Sequence, residues 1–266
     1  MTAQPDVYLH LTAAGQQVDR LVADLDGASW ELPTPAPGWT VAHQIAHLAA
    51  TFRMAELAVA SPDTFRQFTS TLGADFNANV RRALAGYLAE PRDVLLKRWR
   101  AERAAVDEAL AATPPMQMVP WLVRPLPAAV LAAAGMMELF AHGQDIADAL
   151  GAEREHGDGL RHLVDFVSRT WDFGYQTHKI PVPDITLRFE VTAPSGELWT
   201  FGPEDSPERI TGPALDLCLL ATRRRHRDDL ALTATGDEAG RWLDIAQAYR
   251  GPAGPGRRAG QFAGTR

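Results

Sequence analysis

One cysteine in 266 residues, Cys218, leaves no partner for an intramolecular disulfide and too few thiolates for a cysteine-rich metal site. It lies in the apolar helical run ALDLCLLA and reads as a buried structural thiol rather than a nucleophile. Excess positive charge is missing as well: 26 Lys and Arg against 33 Asp and Glu give a net charge of −7. That balance argues against a general nucleic-acid or anionic-membrane binder, whose phosphate contacts need surplus cations. No apolar run approaches the ~20 residues of a membrane span. MTAQPDVYLHL has no basic segment followed by an apolar one, so no signal peptide is expected and the expected location is the cytosol. Repeats of 20–50 residues are absent too. The 46% hydrophobic and 22% charged content belongs to an ordinary globular chain that buries a core without staples.

What is present reads as helices first and strands later. Apolar spacing through Val7, Leu11, Val18, Leu21 and Leu25 predicts a helix over 5–26, stopped by Asp26-Gly27. After the proline-rich ELPTPAPGW, Thr40 caps a second helix, VAHQIAHLAATFRMAELAVA. Ser61-Pro62 opens a third segment that Gly73 kinks or breaks, and Pro91 opens an Arg/Glu-laced fourth. PPMQMVPWLVRPLP holds too many prolines for a helix and leads into a long one ending near residue 151. Four long helices before residue 152, with short connections, predict an antiparallel bundle. A further helix is expected over 158–178. The period then changes: ITLRFEVTA and ELWTFG alternate around PSG, a hairpin, followed by a helix in ALDLCLLATRRR, a possible strand in DLALTATG and a last helix capped by Asp237. The expected class is α+β: a helical domain over 1–180, a small α+β domain over 181–250, and a loose Gly/Pro/Arg-rich tail over 251–266. An exposed helical face offers a route to a homodimer.

The chemistry-bearing residues sit on helices. His43 and His47 are four apart and share a face, as do Glu138 and His142, with Asp145 one turn on. Burying imidazole and carboxylate together costs several kcal/mol unless something compensates. A divalent cation held by His47, Glu138 and His142 would do so, and two histidines with one glutamate are a donor set typical of catalytic zinc with an open position. Asp145 would then orient His142 from behind. The competing reading is a local Glu–His hydrogen bond.

PAPGWTVAHQIAHLAA followed later by MELFAHGQDIADALG resembles the DinB-like metal-binding superfamily, and within it the mycothiol-dependent maleylpyruvate isomerase branch. The stretch from VTAPSGELWTFG to GRWLDIAQAY resembles the C-terminal domain that accompanies that branch. The resemblance implies a four-helix bundle with a divalent metal, zinc in the isomerase. Matched position by position, its ligands are His47, Glu138 and His142. It also implies mycothiol, a low-molecular-weight thiol, as cosubstrate. Two departures stand out. His43 replaces the acidic residue expected four before the metal histidine, and RPLPAAVLAAAGMM lacks the expected hydroxyls.

His43 therefore has three readings: a general base with a suitable pKa, a fourth ligand, or a residue packed in the bundle. The basic run Arg223, Arg224, Arg225, His226, Arg227 is either a solvated helix end or a source of one arginine, Arg224, that holds a carboxylate or polar cosubstrate. Trp39 reads as a packing anchor beside the site, Trp121 and Arg124 as lid candidates, and Trp199 as core. The expected activity is metal-dependent isomerisation of, or thiol addition to, a small unsaturated carbonyl compound. Two alternatives remain: a thiol-independent hydrolase or cyclase in a specialised pathway, and a non-catalytic metal- or small-molecule-binding protein.

Overall fold

The computed structural model describes residues 6–122 and 124–262, which form two compact units, 1–152 and 153–266. The first is helical: α1 (Asp6–Val22), α2 (Val41–Ala60), α3 (Pro62–Thr69), α4 (Phe76–Leu88), α5 (Arg92–Ala111) and α6 (Ala128–Leu150). Helix α2 packs on α5 and α6, and α1 packs on the same two, so the four long helices close a ring. Its centre is apolar, with Val18, Val41, Ile45, Leu48, Leu95, Leu139 and Ile146 buried. Phe52 and Trp99 meet edge to face, centroids 5.2 Å apart. Local chemistry sets the helix ends. Ser61 ends α2 and Pro62 starts α3 in its first turn, where a missing N–H costs nothing. The break near Gly73 is held by Asn79, which bonds both Gly73 N–H and Gly73 C=O, and Asp75 caps α4 by accepting from Ala78 N–H at 3.0 Å. The proline-rich segment before α6 contains a short antiparallel pair, β1 (Met118–Val119) with β2 (Leu126–Pro127).

The second unit contains α7 (Leu160–Arg169), α8 (Phe173–His178), β3 (Leu187–Thr192), β4 (Leu198–Phe201), β5 (Glu208–Pro213), α9 (Ala214–Ala221), β6 (Thr233–Thr235) and α10 (Asp237–Ile245). The segment expected as one helix over 158–178 is two, split at Thr170–Asp172. Helix α7 packs on α9 and β4, and α8 on α10. The sheet runs β4-β3-β5-β6: β3 and β4 are the antiparallel hairpin, β5 joins β3 in parallel, and β6 pairs antiparallel with β5. Trp199 and Phe189 are buried, and Phe189 packs edge to face with Trp242 of α10. Gly174 permits the approach of α8 to α10, because a Cβ there would lie 2.2 Å from the Ile245 carbonyl oxygen. Residues 251–262, loose by composition, are clasped in the structure. Arg225 stacks on the Phe262 ring at 3.8 Å, and Gly260 N–H donates to Asp229 at 2.8 Å. Among the described residues, no helix is long and apolar enough to cross a membrane.

His156 gives this unit a pH signature. Burial, aided by the Arg154 guanidinium, lowers its pKa to about 4. The unfolded chain, with an ordinary imidazole near 6.5, takes up the proton first, so stability present above about pH 6.5 drains away as pH falls toward the folded value. Urea unfolding should show a loss of about 2 kcal/mol from this group between about pH 7.5 and pH 5. His156→Gln should flatten that part of the profile. An equal slope in the variant would show that His156 is not its source.

Candidate metal centre

The site is built where α2 begins. Thr34 N–H and its hydroxyl both donate to Trp39 C=O (2.8 and 2.9 Å), and Val41 N–H donates to Leu32 C=O. Gly38, at φ +76°, turns the chain between them, so Trp39 is fixed and Thr40 arrives extended at the N-cap. Thr40 and His43 form a capping box in which histidine takes the place usual for Glu or Gln. His43 Nδ1 accepts from Thr40 N–H at 3.3 Å and lies 2.9 Å from Thr40 Oγ1. That bond puts the ring proton of neutral His43 on Nε2. Burial lowers the His43 pKa, with Glu31 opposing and Arg92 assisting.

One turn along α2, His47 faces α6, whose Glu138, His142 and Asp145 line one stripe at spacings of four and three. A single oxygen, Glu138 Oε2, lies 3.4 Å from His47 Nε2 and 3.2 Å from His142 Nε2. One donor atom from each of the three residues falls within 4.8 Å of the others; His43 is outside this cluster. The side chains of His47, Glu138 and His142 keep 19%, 22% and 12% of their surface exposed, so the cluster is sheltered but not sealed. Trp39 leans over it, its ring 5.3 Å from that of His47 and stacked 5.9 Å from that of His142. Burial alone would raise the Glu138 carboxyl, but hydrogen bonds and charge from His142 and His47, when those rings are protonated, hold it well below the carboxylate range.

Two fully buried polar residues stand behind the cluster. Gln44 Oε1 meets His142 Nδ1, and Gln44 Nε2 donates to Thr34 Oγ1 at 2.8 Å and toward Asp145 Oδ2 at 3.5 Å. Asp145, expected to orient His142, is buried beside the Gln44 amide, which was not expected. Gln44 is not a ligand type, and its only signal in the sequence is a polar residue amid the apolar positions of VAHQIAHLAA.

The other candidates have other surroundings. Arg224 is a buried residue of the second unit, in the turn that closes α9, donating to Thr222 C=O at 2.6 Å. The turn is tight because Arg223 takes a left-handed conformation, φ +60°. Arg225 is occupied by Phe262, and Arg227 pairs with Asp244 at 2.7 Å. Trp121 stacks on Phe65 of α3, centroids 5.7 Å apart, while Arg124 is exposed. Cys218 is fully buried, and burial pushes its thiol far up, as suits a structural residue.

A helical unit carrying two histidines and a glutamate on facing helices, followed by a small mixed-sheet unit, defines an α+β protein with a candidate metal centre. The chain belongs to the family of the mycothiol maleylpyruvate isomerase N-terminal domain, whose family model matches residues 11–147. A second model, described as wyosine base formation, matches residues 185–235. Uncharacterized proteins of two Mycobacterium tuberculosis strains, H37Rv and CDC 1551, are each 40% identical to it over 247 residues, covering 93% of this chain and 96% of the relative. Among solved structures, the crystal structure of the mycothiol-dependent maleylpyruvate isomerase shares the fold, with a TM-score of 0.58 and 17% identity over 86% of this chain and 91% of that one. A histidine-to-alanine mutant of that enzyme superposes with a TM-score of 0.56.

Proposed function

We propose that the chain is a divalent-metal-dependent enzyme, zinc being the metal its donors suit, that uses mycothiol to isomerise, or transfer a thiol to, a small unsaturated carbonyl compound. The observation that carries this reading is the convergence of His47, Glu138 and His142, which each bring one ligand atom to within 4.8 Å of the others. Two imidazoles and one carboxylate suit zinc and leave a coordination position for a further ligand. The family supports the choice of thiol. When bound, the metal supplies Lewis acidity and lowers the pKa of a thiol or water placed beside it. The protein's own groups do the rest. Trp39 walls one side and limits water. His43, with Nδ1 engaged at Thr40, presents Nε2 to hold or give a proton at the substrate.

Metal analysis and calorimetric titration with mycothiol test the reading on wild type, His47→Ala, His142→Ala and His43→Gln. About one equivalent of zinc is expected in wild type and in His43→Gln, which keeps the capping box, and little in the two alanine variants. Mycothiol should bind only the zinc-loaded protein, and His43→Gln should lower turnover while leaving that binding intact. Zinc without thiol binding would shift the reading to the hydrolase or cyclase. No zinc in wild type would overturn it.

A further inference from the structure

Three contacts settle which way the Gln44 amide points. Its nitrogen faces Thr34 Oγ1 at 2.8 Å and Asp145 Oδ2 at 3.5 Å. Thr34 spends its own hydroxyl proton on Trp39 C=O, so toward Gln44 it is an acceptor. Turning the amide over would aim its oxygen at a hydroxyl lone pair and a carboxylate, inside a region from which water is excluded. The amide oxygen is therefore held toward His142, and an oxygen with no proton to give requires one from Nδ1.

We infer that Gln44 is a positioning residue: it keeps the proton of neutral His142 on Nδ1 and so aims the bare Nε2 lone pair at the point shared with Glu138 and His47. The cost of this arrangement shows on the other side of the ring. With Nε2 bare, its lone pair faces Glu138 Oε2 at 3.2 Å, two electron-rich atoms that attract only through a cation or a proton between them. The network Trp39–Thr34–Gln44–His142 thus links the turn before α2 to the donor cluster through named hydrogen bonds, and it presets the ring for ligation before any ligand arrives. Asp145 lies at the far end of the amide, its Oδ2 3.5 Å from Gln44 Nε2. The effect on metal affinity rests on the proposed metal reading; the tautomer does not.

Long-range ¹H–¹⁵N spectra of the metal-free protein, recorded above the imidazole titration range, read the tautomer directly. Wild type should carry its single His142 proton on Nδ1. Zinc affinity, measured by competition with a chromophoric chelator, should fall roughly 10- to 100-fold in Gln44→Met, which keeps length without an acceptor. A wild-type proton on Nε2 would overturn the inference, and so would zinc affinity within about twofold of wild type in Gln44→Met. If that variant does not fold, the wild-type spectrum still decides. Wild type that carries the Nδ1 proton yet binds no zinc would leave the positioning role standing and bring down the metal reading instead.

Discussion

Glu138→Gln should lower zinc affinity by at least about 100-fold, because loss of a mere supporting partner already costs 10- to 100-fold in such sites. The physical reason is charge rather than shape. Glu138 Oε2 is close to both imidazole nitrogens, and its carboxylate is the negative group of the three-residue cluster. Glutamine fills the same volume, but its neutral oxygen is a weaker donor, and its amide N–H₂ can satisfy an imidazole nitrogen without a cation. The variant should therefore fold, with helical circular dichroism like that of wild type, while chelator competition shows the metal gone. Unchanged affinity would mean that the cluster is a hydrogen-bonded His–Glu–His group and nothing more.

A second large effect is expected at Gly174→Ala, far from any metal donor in sequence. The added Cβ would sit 2.2 Å from the Ile245 carbonyl oxygen, and the obstacle is backbone, which no rotamer change relieves. Overpacking of this kind costs about 3 kcal/mol, enough to lower the melting of the second unit by on the order of 10 °C. The zinc content should stay unchanged, since His47, Glu138 and His142 all belong to the first unit. Differential scanning calorimetry paired with metal analysis separates the two. Metal lost along with the second unit's transition would show that the units do not stand independently.

The long helices were legible because each carries its own periodic apolar face and its own punctuation, Thr40 before α2 and Ser61-Pro62 between α2 and α3. The β3–β4 hairpin announced itself by strict alternation around Pro194-Ser195-Gly196. Local pattern is silent about partners, however. The amphipathic α7 has a face to bury, and nothing in its sequence says that α9 and β4 will cover it. Residues 251–262 looked loose because the contacts that hold them, Phe262 under Arg225 and Gly260 against Asp229, join positions over thirty apart. At the site, Glu138 and His142 were visible as ligand types one turn apart and His47 as one of two histidines sharing a face of α2, and the resemblance matched all three. The box formed by Thr40 and His43 was disguised by a histidine where glutamate is the familiar signal. Gln44 left only the signal of a polar residue in an apolar run, since its importance lies in burial and in the atoms it meets on α6.

His47 and Glu138 are 91 residues apart in the chain. An extended or disordered polypeptide does not hold such donors together, so a cation that takes them binds the native state almost alone. Occupancy then adds RT ln(1 + [M]/Kd) to the folding equilibrium, about 4 kcal/mol when free metal exceeds its dissociation constant a thousandfold. Were the proposed metal bound, cellular metal supply would help determine how much folded protein survives proteolysis. Abundance would track zinc availability even before a single substrate molecule is turned over.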